Sequence, residues 1–352
     1  MIILLTEKPA LNGYIESLIL AYQQAGHTVV CDPSNFYHSN LVPDVLHIHW
    51  PERLTYWYGP FQGKPAAEQI AAATRRLQWY REQGTKTVLT VHNLSPHEGS
   101  SESDPAYGQF FQYADVVVHH CEESVRQATQ RYPELRDKKN IVCAHGDYLV
   151  HYRHVERGKA RRQLGVPDSA FVLLNFGRQR GYKNEQFLLD VFRQANIQNK
   201  YLMVVGSFDQ GRGSMWEKWR FKLRNAWRER FPYSDRKFVY RAISNEEMPA
   251  FLSASNVVLL GHAKGLNSGL LPLAATFSVP AVYPRLGCFE SSLAGWCGDA
   301  YTPGSVTDAC RALECLASDI KEGRVSLDNS AWLKSNSWPE HVARILGALR
   351  AG

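Results

Sequence analysis

Residues 257–282 read VVLLGHAKGLNSGLLPLAATFSVPAV. Apolar Val257 to Leu260 fits a buried strand, and a loop punctuated by Gly261 and Gly265 follows. Asn267-Ser268-Gly269 then opens an apolar helix, and Ala281-Val282, after Pro280, makes a second short strand. Small polar residues at a helix start leave backbone N–H groups free, and the helix dipole adds partial positive charge there. The turn therefore suits an anion, phosphate best of all. By itself such a stretch is also the form of an ordinary capped helix in an α/β domain. Its meaning comes from a partner at 174–184, LNFGRQRGYKN. There a strand over Phe171 to Phe176 ends in the glycine turn at Gly177. Arg178, Arg180 and Lys183 follow, and a helix runs on to about Ala195. Strand, glycine turn, cations and helix together form an arrangement for gripping a diphosphate: backbone approach needs the glycine, and the cations neutralise the leaving charge. It is neither a Walker loop, since GKS/T is absent, nor GxGxxG.

The chain of 352 residues favours two domains. A hydrophobic content of 44% and a charged content of 21% are those of a globular protein. No apolar run is long enough to span a bilayer, and MIILLTEKP reads as a first strand instead of a signal peptide, so the expected compartment is the cytoplasm. The seven cysteines are scattered without CxxC or Cys/His spacing, which argues against a metal site or a disulfide framework. Residues 1–150 carry 12 Lys/Arg against 16 Asp/Glu, and the remainder 28 against 18. A basic second half suits a nucleoside diphosphate or an anionic surface. No nucleic-acid module is legible, so no nucleic-acid partner is expected.

The first half alternates strands and helices as a parallel sheet with crossover helices does. Strands fall at Ile2–Leu5, Thr28–Cys31, Val45–Ile48, Thr87–Val91, Asp115–His119 and Asn140–Cys143. Helices run over about Ile15–Ala25 and Ala66–Gln83. Two strands end in histidine-rich loops, His49-Trp50-Pro51-Glu52 and His92 through His97-Glu98. Ligands of open parallel sheets sit beyond the carboxyl ends of the strands, so His92, His97 and Glu98 are catalytic candidates as a group. In the second half, further strands fall at Tyr201–Val205 and Lys237–Tyr240, the latter ending in Arg241. A helix over about Ser214–Phe231 places Trp216, Trp219, Leu223 and Trp227 on one face, within a segment (212–230) holding seven Arg/Lys and two Glu. The pattern favours a core-facing stripe with a solvated basic back over an interfacial helix on anionic lipid.

The ordered set HIHWPE (47–52), TVHNLSPHE (90–98), NFGRQRGYKN (175–184), GLNSGLLPLAATFSVPAV (265–282), LGCFE (286–290) and SWPEHVARIL (337–346) resembles bacterial GT-B glycosyltransferases close to glycosyltransferase family 4, of the kind that build surface polysaccharides. The resemblance runs from about residue 44 to 350 and is specific for fold and reaction class, though not for the sugar. It implies an α/β chain of two Rossmann-like domains facing a central cleft: 1–155 on the acceptor side, 156–335 holding the nucleotide sugar, and a helix within 336–352 crossing back to the first. It implies a hexosyltransferase that uses a nucleotide-diphosphate sugar, with no metal or other cofactor, on a glycan or lipid-linked glycan acceptor. By motif position Arg180 and Lys183 grip the diphosphate, with Arg178 a rival to Arg180. Ser268 and Gly269, next to Asn267, offer N–H groups to a phosphate. Glu290 lies near the ribose or sugar, His92 against the donor sugar, and Gly13 in the glycine turn bordering the reacting centre. Arg241, at a strand end, joins the donor set. The usual pair of glutamates would fall near Gly265 and Leu273, and neither is acidic here.

Two other readings share this architecture: an inactive nucleotide-sugar-binding scaffold and a nonhydrolysing nucleotide-sugar epimerase. A peripheral contact with an anionic membrane, at the inner face, is compatible with the enzyme. Trp79, Tyr80, Arg75, Arg76 and Arg81 on the Ala66–Gln83 helix are the residues expected to rest there.

Overall fold

A computed structural model describes residues 1–8, 12–57, 66–95, 104–207, 215–230 and 233–351. The chain divides into two compact units, one of residues 1–148 with 333–352 and one of residues 149–332.

Short runs of β-branched and aliphatic residues form the first unit's strands: β1 Ile2–Leu5, β2 Thr28–Cys31, β3 Val45–Ile48, β4 Lys86–Thr90, β5 Val116–His119 and β6 Lys139–Val142. They pair in parallel in the order β2-β1-β3-β4-β5-β6, with Leu4 opposite both Val30 and Leu46. Parallel strands need crossovers, and the helices Gly13–Gln24, Pro33–His38, Ala66–Glu82, Asp104–Tyr113 and Glu122–Arg131 supply them. The helix Trp338–Arg350 belongs to this unit. Its Trp338, Val342, Ile345 and Leu346 share one core with Ile3, Leu5, Tyr14, Leu18 and Tyr22. Pro339 near its start fits a position whose N–H has no helical partner.

The second unit repeats the plan with β7 Phe171–Phe176, β8 Lys200–Val205, β9 Arg236–Val239, β10 Val257–Leu259, β11 Ala281–Pro284 and β12 Gly298–Tyr301, all parallel, in the order β12-β11-β10-β7-β8-β9. Leu173, Leu202, Val257 and Val282 share a core with Phe187, Val191, Phe192 and Leu313 from the helices Glu185–Gln194 and Val306–Lys321. Strand β12 is absent from the sequence reading because Gly-Asp-Ala-Tyr, an edge strand, carries no apolar run.

Two faces are the reverse of the sequence pattern. On the helix Met215–Arg230, Trp216, Trp219, Leu223 and Trp227 are exposed, so the stripe does not face the core. On Ala66–Glu82, by contrast, the residues expected at a bilayer are largely spent inside the unit. Tyr80 is fully buried, Arg76 donates to the carbonyls of Phe36 and Ser39 and lies over Trp79, and Arg81 donates to Gln112 O. Among the described residues no helix is long and apolar enough to cross a membrane.

Candidate functional site

Each sheet has a point where successive connections leave in opposite directions, between β1 and β3 in the first and between β7 and β10 in the second. Loops beyond the carboxyl ends of the strands splay apart there and leave room for a ligand.

In the second unit the β7 loop is built backbone against backbone. Gly177 has φ +98° and Gly206, after β8, φ +132°. A Cβ on Gly206 would lie 2.2 Å from Gly177 O. Gln179, buried, pins the turn: its Nε2 donates to Asn175 Oδ1 (3.1 Å) and Gly177 O (2.9 Å), and its N–H to Ser207 O (2.7 Å). Asn175 Nδ2 donates to Leu259 O at 2.9 Å and so ties β7 to β10. Lys183 closes over this turn. Its ammonium donates to Phe176 O at 3.3 Å and sits 3.0 Å from where a Gly177 side chain would begin. Burial, then the neighbouring Arg180 charge, holds Lys183 down to about 8. A cation so short of counter-charge favours an anionic partner. Arg178 is exposed, and Arg180 is half-buried beside Lys183.

The β10 loop meets the β7 loop. Ala263 N–H donates to Tyr182 O at 2.8 Å, and Gly261 leaves no room for a side chain against Lys183 O. His262 lies between Tyr182 and Phe289, ring centroids 5.5 and 5.4 Å away. Burial and the Lys183 charge push it down to about 3, and its Nδ1 is buried with no hydrogen-bond partner among the described residues. Leu270–Thr276 is the helix that follows, with Gly269 as its first cap and no side-chain cap. Asn267 and Ser268 are half-buried just ahead of it. Cys288 N–H donates to Leu266 O at 2.8 Å, which brings the β11 loop alongside and places exposed Glu290 at the same edge. Arg241 forks onto Glu247 at 2.8 and 2.5 Å and lines a groove of about 800 Å³ with Gly165 and Phe251.

In the first unit Asn12 caps the helix that Gly13 begins, accepting from Tyr14 N–H at 3.0 Å. Tyr14 is the hub of a buried cluster, meeting His49, His92, His120, His145, His341 and Trp338 edge-on at centroid distances of 4.8 to 6.1 Å. Four of these histidines stand one to three residues beyond β3, β4, β5 and β6. His92 shares a 3.0 Å hydrogen bond between its Nε2 and His49 Nδ1, and stacks on Trp50 at 4.3 Å. The Arg53 guanidinium lies over the Trp50 ring, 4.3 Å from its centroid. Burial holds His92 well below its ordinary value, and the His120 charge adds to the effect, so the ring is neutral. His120, His145 and His341 each donate from Nδ1 to a carbonyl, of Cys143, Gly146 and Ala144 in turn. Their Nε2 atoms are therefore the lone-pair side, and the His49 and His120 Nε2 atoms find no partner among the described residues. Glu7, just past β1, is sealed against Arg53 and raised to about 7 by burial. His97 and Glu98 lie outside the described residues.

Gln179, His262, Tyr14, His120, His145 and His341 were not singled out from sequence. The available signal was position: most fall within a few residues of a strand's carboxyl end.

Two six-stranded parallel sheets of this connectivity match the GT-B fold. The chain superposes on sucrose-phosphate synthase from Thermosynechococcus elongatus with a TM-score of 0.72 and 16% identity, over 99% of this chain and 98% of that one. It superposes on Anabaena Alr3699/HepE, solved with UDP and glucose, with a TM-score of 0.70 and 15% identity over 100% and 99% of the two chains. In sequence it is similar to a GDP-mannose:glycolipid 4-beta-D-mannosyltransferase of Xanthomonas campestris pv. campestris, 27% identical over 241 residues. That match takes in 68% of this chain and 61% of the relative, so the chain spans less than two thirds of the relative's length. No family model matches the chain.

Proposed function

We propose that this chain is a glycosyltransferase that moves a hexosyl group from a nucleoside-diphosphate sugar to a lipid-linked glycan, without a metal, at the inner face of a membrane. The observation that carries the reading is the Lys183 ammonium, under-compensated and folded over Gly177 at the switch point of the second sheet. Cleavage of the sugar–phosphate bond builds charge on the leaving diphosphate. Arg180 and Lys183 stabilise that charge, each preorganised cation or donor worth roughly 3 kcal/mol of barrier. The neutral His92, fixed by His49 and Trp50, supports a role against the donor sugar. Transfer with inversion of the anomeric carbon needs a base for the acceptor hydroxyl, for which His97 and Glu98 are the candidates, whereas transfer with retention needs no protein base. The similar mannosyltransferase is named for GDP-mannose and a glycolipid, which supports that donor class and a lipid-borne acceptor. Such an acceptor confines the reaction to a membrane surface.

A donor-binding protein without turnover is the second reading, favoured by the apolar Leu273 and by Gly265, which stand where related enzymes carry glutamates. Melting in the presence of UDP, GDP, ADP and TDP, for wild type beside Lys183→Ala, tests the donor site. A ligand at a hundredfold its Kd adds about 2.7 kcal/mol of stability. One diphosphate is expected to raise Tm, and Lys183→Ala to abolish the rise; no rise from any of the four sinks the donor site. Sugar transfer from the matching nucleotide sugar to a lipid extract then separates enzyme from binding protein.

A further inference from the structure

The helix Met215–Arg230 of the second unit exposes an aromatic stripe that the donor site does not use. Trp216, Trp219, Leu223 and Trp227 are 62%, 52%, 49% and 56% exposed, and the first two indoles stack at 5.1 Å. At about 100° per residue these four side chains fall within roughly 80° of arc, so they form one continuous apolar edge along a helix about 24 Å long. Met215, 89% exposed, extends its beginning. Scattered exposed leucines need no explanation, but three indoles in a row on a surface mark something that covers them.

Charge says what that is. Arg220, Lys222 and Arg224 are exposed on the same helix, and residues 212–230 hold seven Arg/Lys against two Glu. A second copy meeting this stripe about a twofold axis would set cations against cations. Stacked nucleobases would use the indoles, but they give no partner to Leu223 and Met215, which continue the same edge. A helix with tryptophan and leucine along one edge and arginine and lysine beside it matches the boundary between acidic headgroups and acyl chains, where indoles prefer to sit. We infer that Met215–Arg230 is a docking surface for an anionic lipid bilayer, lying in the plane of the interface with the three indoles at headgroup depth. None of these residues belongs to the donor site proposed above.

Co-sedimentation of the full chain with vesicles of phosphatidylcholine, with and without phosphatidylglycerol, tests it. Three proteins are compared: wild type, Trp216→Ala/Trp219→Ala/Trp227→Ala, and Arg220→Gln/Lys222→Gln. Because the substituted side chains are exposed, circular dichroism melts should match wild type. The expected result is binding to the acidic vesicles alone, weakened by salt, about tenfold weaker without the indoles and several-fold weaker without the two cations. Wild type that stays in solution with acidic vesicles, or indole variants that pellet as wild type does, would overturn the inference. So would a dimer, or single-stranded oligonucleotide binding, that the indole variant loses while its vesicle binding is unchanged.

Discussion

Gly206 shows how the donor turn depends on a missing side chain. Its φ of +132° and the 2.2 Å approach of a would-be Cβ to Gly177 O mean that Gly206→Ala must push β8's end away from the lysine turn. Gly304, at φ +81° with nothing within 4 Å, serves as the control, since it carries the backbone penalty without the collision. Gly304→Ala should cost about 1 kcal/mol in urea unfolding, and Gly206→Ala clearly more, about 2–4 kcal/mol. Equal costs would mean that the close approach has no consequence. The sequence showed Gly177, Arg180 and Lys183 as a cluster because they share one loop. It did not show that Gly206, 29 positions on, touches that loop, because the contact exists only once β7 and β8 pair in parallel. The histidines around Tyr14 are a stronger case: His120, His145 and His341 lie on three separate segments, and only the parallel order of β5 and β6 and the packing of the last helix bring them together.

Among the elements, the strands were the most legible, since a buried parallel strand is a short apolar run whichever way it faces. The helix Met215–Arg230 exposes the face its pattern suggests is buried, for the converse reason. An amphipathic period states that a helix has two faces without stating which one is covered. The helix Trp338–Arg350 is the element whose removal should be felt most. Trp338 is buried, donates from Nε1 to Asp147 O at 2.7 Å and meets Tyr14 edge-on at 4.8 Å. Gly146 lies so close that a Cβ there would enter the indole. Trp338→Ala should therefore destabilise the first unit by about 3–5 kcal/mol in denaturant unfolding. A loss below about 1 kcal/mol would show that the helix is merely attached to the surface of that unit.

For the molecule as a whole, acid should set the two units apart. His47, His145 and His341 are held down to about 3 and His120 to about 4, chiefly by burial. All four are neutral in both folded and unfolded chains above their ordinary value of 6.5. Below it the unfolded chain takes up protons and the folded one does not, so stability is lost as pH falls from 6.5 towards 3. Glu7, raised to about 7, works the other way between 7 and 4.5, and burial raises Glu52 as well, but these are two carboxyls against four histidines. In the second unit His262 is the histidine held down to about 3, and Lys183, titrating near 8, is constant over this range. Between about pH 7.5 and 5 the first unit should lose several kcal/mol and the second about 2. Calorimetry should resolve one melting transition near neutrality into two in acid, the first unit melting earlier. A single transition with an unchanged Tm at the lower pH would refute this.

The first unit is assembled from residues 1–148 and 333–352, while the second is continuous from 149 to 332. On the ribosome, where chains emerge at about 5–20 residues per second, the usual order of folding is therefore reversed. The second unit can complete its sheet as soon as its own residues are out. The first, although its six strands are made earlier, must wait with the Tyr14 pocket open until Trp338 and His341 arrive. The unit that is begun first is finished last.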